Sequence, residues 1–278
     1  MANGKIVKSI SDDYTVLSSD DKRYICKARG KFRKDNIKPA VGDNVVFDDK
    51  TCVINEVLKR KNDLIRPNVK NVDQAVIITS LKEPDFSSNL LDKLLVIIEF
   101  NNIKPIICIT KKDLVSNEEF KSLKKVLDYY ESIGYPVYYN DKLEDIRKIF
   151  KNKITVFTGQ TGAGKSTLLN SISTDLDLKT GEISKALGRG KHTTRHVELL
   201  DVEGGLVADT PGFSSLDFKG MEKSDIRDSF IEFNEYRYDC EFSDCMHLNE
   251  VKCEVKKRVK SGEILTSRYE NYIKFIKE

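Results

Sequence analysis

Apolar and polar residues follow different patterns along the chain, and the changes of pattern separate three zones. In residues 5–57, short β-type runs such as KIVKSI, RYICKARG and NVVFD are separated by turn-rich pieces such as SDD and AVGD. Short strands at this spacing predict a small all-β barrel, to which we assign residues 1–66. The last zone, residues 221–278, is rich in charge and has a helical pattern.

From about Gln74 the pattern changes to apolar strands that alternate with amphipathic helices. The predicted strands read QAVIIT, PIICIT, PVYY and ITVFT, and the predicted helices cover residues 89–101, 118–130 and 142–150, with another that begins at Lys165. This alternation predicts a parallel sheet with crossover helices. The runs RHVELLDV and LVADTPG, joined by two glycines, predict an antiparallel hairpin. We therefore expect an α/β domain over residues 67–220.

The composition is that of a globular protein. The 278 residues are 39% hydrophobic, enough to bury a core in two or three domains of the usual ~100–200 residues. The longest wholly apolar run, residues 94–98, is far shorter than the ~20 residues of a membrane span, and the N-terminus has no apolar signal core. We expect a cytoplasmic protein with no membrane partner.

Positive charge is distributed unevenly, although the formal net charge is only +3. Residues 22–38 hold eight Lys and Arg side chains against one acidic residue, Asp35. Such a cluster is typical of a surface that binds nucleic acid, and it is also compatible with an ordinary solvated face.

Residues 159–166, which read GQTGAGKS, match the phosphate-binding pattern G-x-x-x-x-G-K-[ST] in full, after a predicted strand and at the start of a predicted helix. In this cradle the glycines let backbone N–H groups face the phosphates, the Lys165 ammonium contacts the outer phosphates, and the Ser166 hydroxyl ligates Mg²⁺. The predicted nucleotide contacts are Gly159, Gln160, Thr161, Gly162, Ala163, Gly164, Lys165, Ser166 and Thr167.

A second stretch, Thr110, Lys111, Lys112 and Asp113, follows the strand PIICI and is typical of a guanine clamp. An Asp carboxylate there accepts hydrogen bonds from guanine N1 and N2 while a Lys stem lies along the base, and Asp113 and Lys111 fit these roles. Thr110 stands where the clamp usually has Asn. If the stretch were an ordinary strand end, the chain would be a P-loop ATPase or a small-molecule kinase with an adenine pocket.

Two further stretches match the switches that sense the γ-phosphate. ADTPG contains Asp209 and Gly212 in the pattern D-x-x-G, and KHTTRH offers Thr193 and Thr194 as a first switch, although a flexible loop is the alternative for HTT. We expect Thr194 to ligate Mg²⁺ and to contact the γ-phosphate through its N–H, Asp209 to hold the metal through water, and the Gly212 N–H to meet the γ-phosphate.

The order of these motifs is circularly permuted, because the clamp precedes the cradle. Such a permutation leaves the site intact, since the termini of a domain tend to lie close together on the surface.

Catalysis also needs a group that orients water. The residue after Gly212, where many GTPases have Gln, is Phe213, which has no polar group. His192 is therefore our candidate, and a surface loop histidine is the alternative. The predicted catalytic residues are His192, Thr194 and Lys165.

A cysteine and histidine cluster marks the last zone. Cys240, Cys245, His247 and Cys253 fall within fourteen residues, enough for one closed, structural Zn²⁺ site. Buried or disulfide-linked cysteines are the alternative. The other three cysteines lie in apolar, strand-like runs and are expected to be core thiols: Cys26, Cys52 and Cys108.

Together, the barrel, the motifs TKKD, GQTGAGKST, GRGKHTTRH and DTPGF, and the Cys/His cluster resemble the RsgA (YjeQ-type) family of bacterial GTPases over essentially the whole chain. The resemblance implies an α/β fold class, in which a circularly permuted P-loop GTPase domain lies between an N-terminal OB-fold barrel and a C-terminal helical zinc-binding domain. It also implies GTP hydrolysis stimulated by the small (30S) ribosomal subunit, a role in late maturation of that subunit through rRNA binding, and a part for His192 in hydrolysis.

OB barrels bind RNA through basic grooves and stacking aromatics, for which Tyr24, Phe32 and Arg33 are candidates, with core packing of the two rings as the alternative. The expected partners are the small ribosomal subunit, its rRNA and GTP or GDP, and the expected cofactors are Mg²⁺ and one Zn²⁺. We expect a monomer. An RNA-binding scaffold whose nucleotide site only regulates docking is the remaining alternative.

Overall fold

Five N-terminal strands close into a barrel in the computed structural model, which describes residues 1–30, 32, 37–64, 67–172, 197–208 and 217–278. The strands are β1 (Ala2–Ile10), β2 (Asp13–Ser18), β3 (Arg23–Ala28), β4 (Asn44–Asp48) and β5 (Val53–Val57), in the order β1-β2-β3-β5-β4. All the pairings are antiparallel except that of β3 with β5. Alternate residues of β2 and β4 are buried, as expected when one face of each strand lines a core. The predicted barrel is confirmed.

A six-stranded sheet follows the barrel. Its strands are β6 (Gln74–Ser80), β7 (Lys104–Thr110), β8 (Val137–Tyr139), β9 (Ile154–Gly159), β10 (Leu199–Val202) and β11 (Gly205–Ala208), in the order β10-β11-β9-β6-β7-β8. Every neighbouring pair is parallel except β10 with β11. All seven residues of β6 are buried, which is typical of a central parallel strand covered on both faces. The predicted parallel sheet and its antiparallel hairpin are both present.

Four helices cover the sheet in the described part of the chain. They are α1 (Ser88–Phe100), α2 (Asn117–Ser132), α3 (Leu143–Lys148) and α4 (Lys165–Ile172). Ser87 caps α1, and Ser116 with Glu119 forms a capping box at α2. Among the described residues, no helix is long and apolar enough to cross a membrane.

The C-terminal zone is helical, as predicted, and packs on α1. It contains α5 (Lys223–Asp228), α6 (Phe233–Tyr236), α7 (Glu254–Ser261) and α8 (Thr266–Phe275). Its core is aromatic: the Phe230 ring stacks on Phe233 and meets the edge of Tyr272, and Val96 of α1 joins the same cluster. The domain boundaries at residues 66 and 220 stay predictions.

One charged side chain in this interface is fully buried. Arg268 of α8 donates to both carboxylate oxygens of Glu232 at 2.7 Å and to Asp92 of α1 at 2.8 Å. Asp92 also accepts hydrogen bonds from the Tyr130 hydroxyl at 2.6 Å and from the Asn271 amide at 2.7 Å. This Arg268 network ties the C-terminal helices to α1 and α2.

The barrel contacts the six-stranded sheet at its edge strand, β10. Lys8 of β1 pairs with Glu198 at 2.6 Å, and Arg23 of β3 pairs with Asp201. Glu198 directly precedes β10, so the barrel is attached to the strand that leads out of the predicted first switch.

Candidate nucleotide site and metal centre

The predicted phosphate cradle lies between the end of β9 and the start of α4. Gly159, Gly162 and Gly164 have φ values of +131°, +82° and +91°, which side chains rarely adopt. A Cβ atom at Gly159 would overlap the carbonyl oxygen of Ile78, so only glycine fits there. The loop therefore has the backbone that a phosphate-binding turn needs, followed directly by the N-terminus of a helix.

The polar side chains of the cradle lie in the loop before α4 and on its first turn. Lys165 and Ser166 are partly buried, whereas Thr161 and Thr167 are exposed. Burial lowers the pKa of Lys165, and an anion beside the ammonium would oppose this effect because opposite charges favour the ionised form. This arrangement suits a bound phosphate.

The clamp residues follow β7, two strands away from β9 on the same edge of the sheet. Thr110, which is 2% exposed, donates a hydrogen bond from Oγ1 to the carbonyl oxygen of Ala163 at 2.6 Å. The clamp and the cradle, fifty-three residues apart in sequence, are thus in direct contact. The structure brings together the two motifs that the sequence presents in permuted order.

The remaining clamp side chains differ in their surroundings. Lys111 has a left-handed backbone, and its ammonium donates to the carbonyl oxygen of Glu83. The Lys112 ammonium lies 4.8 Å from the centre of the Phe120 ring and 3.5 Å from a carboxylate oxygen of Asp141. Asp113 is exposed, so its carboxylate is accessible to a base, whereas Lys112 is directed to the α2 and β8 side.

The segment between β6 and α1, residues 81–87, contacts both the clamp and the cradle, and it is not among the site residues predicted from the sequence. The Glu83 carbonyl accepts from Lys111 of the clamp, and the Asp85 carbonyl accepts from Gln160 of the cradle at 3.4 Å. The Ser80 hydroxyl donates to the Pro84 carbonyl at 2.6 Å. No motif could mark this segment, because its contacts use backbone carbonyls that every residue has.

The predicted switch residues lie outside the described residues. His192, Thr193 and Thr194 fall between Ile172 and Val197, and Asp209, Gly212 and Phe213 fall between Ala208 and Asp217. Their roles stay predictions.

The four predicted metal ligands form one cluster. The ligand atoms of Cys240, Cys245, His247 and Cys253 all lie within 4.8 Å of one another. The imidazole Nδ1 is 3.3 Å from the sulfur of Cys253 and 3.7 Å from that of Cys240. Cys253 also caps α7 by accepting from the Lys256 N–H. All six cysteines are free thiols, so the disulfide alternative is excluded here.

The chemistry of the cluster fits a metal ion. Burial raises the pKa of the Cys245 thiol to about 12, and burial followed by the charge of Arg227 lowers the pKa of His247 to about 4. The imidazole is therefore neutral, the form that ligates a metal, while buried thiols need a nearby cation to ionise. Three sulfurs and one nitrogen with no place for a water match the donor set of structural zinc sites.

Comparisons with known proteins show the family of the chain. Family models described as RsgA GTPase and RsgA N-terminal domain match residues 57–219 and 3–52. The chain is 52% identical to the small ribosomal subunit biogenesis GTPase RsgA of Bacillus velezensis and 48% identical to that of Bacillus subtilis, each alignment covering 100% of this chain and 97% of the relative.

Solved structures give the same result for the fold. YloQ, described as a circularly permuted GTPase, superposes with a TM-score of 0.87 at 43% identity, over 100% of this chain and 94% of that one. YjeQ from Thermotoga maritima superposes with a TM-score of 0.86 at 36% identity, over 99% and 97% of the two chains. The similarity covers the barrel, the sheet and the C-terminal helices alike.

Proposed function

The chain belongs to the RsgA family of small ribosomal subunit biogenesis GTPases and is a GTP hydrolase, and on this premise we propose that the small (30S) ribosomal subunit stimulates its hydrolysis of GTP. In this proposal the protein acts as a cytoplasmic monomer in late maturation of the subunit and binds rRNA. GTP binding and hydrolysis determine when the protein binds the small subunit and when it is released.

The observation that carries the nucleotide part is the contact between Thr110 and Ala163. It brings the predicted guanine clamp into contact with the predicted phosphate cradle, which supports a role for Asp113 that an ATPase or a kinase would not need. In the proposed site Asp113 accepts from the guanine edge, the Lys111 stem lies along the base, and Lys165 with the cradle N–H groups binds the phosphates.

Hydrolysis in this site depends on charge and position. Ser166, Thr194 and Asp209 would hold Mg²⁺, which when bound would neutralise the charge that develops on the phosphates. Lys165 and the N–H of Gly212 would add donors to the phosphates. His192 orients the attacking water, since Phe213 cannot. Positioning of this kind can lower a barrier by several kcal/mol, which leaves room for stimulation by a partner that orders the switch.

A groove on the barrel supports binding to RNA. A cavity of about 510 Å³ is lined mostly by aromatic, apolar and basic residues, among them Tyr14, Lys27, Arg29, Phe32 and Lys38, together with the acidic residue Asp12. In the described part of the chain, Arg29 and Lys38 make no salt bridge. These two side chains can therefore supply positive charge for a phosphate, and such binding should weaken as salt is added.

Other basic side chains of residues 22–38 already form salt bridges. Lys22 pairs with Asp20, Arg23 with Asp201, and Lys27 with Asp13. The candidate stacking rings are packed as well: the Tyr24 ring lies 5.1 Å from that of Phe47, and Phe32 is 4% exposed. The salt bridges leave fewer basic side chains for phosphate contacts, and the packing of the two rings argues against open base stacking on them. Arg33 lies outside the described residues.

The Cys/His cluster would hold one structural Zn²⁺. Bound zinc would ionise the thiols and link the segment around Cys240 to the start of α7 through Cys253. This role requires no water at the metal and no part in hydrolysis.

The groove can be tested by measuring phosphate release against small-subunit concentration at low and high salt. Arg29→Ala/Lys38→Ala should raise the subunit concentration needed for half-maximal stimulation several-fold, with a smaller salt dependence than in the wild type. Lys50→Ala/Lys59→Ala removes the same charge from exposed barrel positions outside the groove and should have little effect. Equal effects of the two double variants would contradict recruitment by the groove.

A further inference from the structure

The contact between Thr110 and Ala163 fixes more than the distance between two motifs. The Thr110 hydroxyl has a single proton, and the 2.6 Å bond to the Ala163 carbonyl uses it. The next acceptor, the carbonyl oxygen of Thr79, is 3.4 Å away. Thr110 therefore has no proton left to donate to a guanine base, although it occupies a position in the clamp.

The bond acts on the peptide between Ala163 and Gly164. In a planar trans peptide the C=O and N–H bonds point in opposite directions. Holding the Ala163 carbonyl on the Thr110 side therefore holds the Gly164 N–H on the other side, where the cradle presents its donors. Gly164 has a φ of +91° and only the Thr110 side chain within 4.0 Å of where a Cβ would stand. Its own backbone therefore does little to stop this peptide from turning over.

A turned peptide would direct a carbonyl oxygen at the phosphates and would remove one N–H donor from them. Negative charge facing an anion is unfavourable, and a lost charge-assisted hydrogen bond weakens binding further. The Thr110 hydroxyl opposes both effects from a buried, dry position, where such a bond is not exchanged for one to water.

We propose that Thr110 is a positioning residue for the phosphates: its hydroxyl pins the Ala163–Gly164 peptide in the orientation that binds GTP, and it does not read the base. This inference rests on the proposed nucleotide site and assigns to the clamp strand a function in phosphate binding. It predicts that removal of the hydroxyl lowers the binding affinity for every nucleoside triphosphate by the same factor.

The test compares Thr110→Val with Thr110→Ser. Valine keeps the shape of threonine and removes the hydroxyl, whereas serine keeps the hydroxyl and removes the methyl group. We expect the affinities for GTP and for 7-deazaguanosine triphosphate, which lacks the N7 acceptor, both to fall about tenfold in Thr110→Val, with their ratio unchanged. Thr110→Ser should remain close to the wild type, and KM should rise more than kcat falls.

Thr155→Val is the matched control. Thr155 is fully buried at the start of β9, away from the cradle, and its hydroxyl accepts a hydrogen bond from Gln74 at 3.0 Å. This variant should lose thermal stability and keep its nucleotide affinity. If Thr110→Val does not fold, Thr110→Cys, with its weaker S–H donor, should bind both nucleotides less tightly than Thr110→Ser.

Three results would overturn the inference. Wild-type affinity in Thr110→Val, or a larger loss in Thr110→Ser than in Thr110→Val, would show that Thr110 acts by packing. A changed ratio of GTP to 7-deazaguanosine triphosphate affinity would show a contact with the base. Equal binding of ATP and GTP by the wild type would instead contradict the proposed function, whatever Thr110 does.

Discussion

Replacing Arg268 with Met is expected to destabilise the C-terminal helices strongly. The substitution keeps a long apolar side chain and removes the N–H donors that bind Asp92 and Glu232. These carboxylates are 0% and 3% exposed, so both would remain in the core without a cation. Breaking a buried ion pair in this way costs about 3–5 kcal/mol, a large share of the ~5–15 kcal/mol that stabilises a typical domain.

The loss of folding stability caused by Arg268→Met should also depend on pH. Burial raises the pKa of Asp92, and the charge of Arg268 lowers it, so loss of Arg268 should raise this pKa further. A carboxyl whose pKa is higher in the folded than in the unfolded state contributes stability at low pH, which is lost as the pH rises through the folded-state pKa. Arg268→Met should therefore be closer to the wild type at pH 5 than at pH 8.

Urea unfolding followed by circular dichroism at both pH values measures these differences. Arg258→Met is the matched control, because Arg258 lies on α7, is 31% exposed, and pairs with Glu254 and Glu263. Exposed pairs of this kind contribute far less to stability than buried ones. If Arg268→Met costs no more than Arg258→Met, or costs more at pH 5 than at pH 8, the reasoning about the buried network is wrong.

Two further predictions concern the base and the metal. Asp113→Asn should weaken GTP binding about ten- to a hundredfold and favour xanthosine triphosphate, because a carboxamide donates where the carboxylate accepted. Competition binding between the two nucleotides would measure this change in preference. Unchanged GTP affinity would contradict the guanine clamp. Purified protein should contain about one equivalent of Zn²⁺ by elemental analysis. Cys245→Ala should lose the metal and the fold of the C-terminal zone, whereas the control Cys108→Ala should keep the metal and the fold. Metal-free protein with a normal fold would refute the zinc site.

The sequence predicts the barrel, the parallel sheet and the start of α4 because each rests on local periodicity or on a motif with strict backbone demands. The period-2 burial of β2 and β4 and the wholly buried β6 correspond to the patterns in the chain. The permuted order of clamp and cradle is visible as well, since motifs keep their identity wherever the chain is cut.

Contacts between distant segments could not be predicted in the same way. Arg268 lies in a charged helix whose composition indicates a solvated surface, and only the packing of α8 against α1 buries it. The basic cluster shows the same limit: Arg23 is paired with Asp201, 178 residues away, so the free charge of the cluster cannot be counted from the sequence. The Thr110 bond to a backbone carbonyl likewise has no sequence signal.

Steady-state phosphate release, measured for the wild type and His192→Ala against increasing small-subunit concentration, tests the central claim most directly. The free wild-type enzyme should hydrolyse GTP slowly, because Phe213 cannot orient water, and the subunit should accelerate it. His192→Ala should bind GTP nearly as well and show no acceleration. A wild-type rate that the subunit leaves unchanged would contradict the proposed function, and acceleration of His192→Ala equal to that of the wild type would contradict the role of His192.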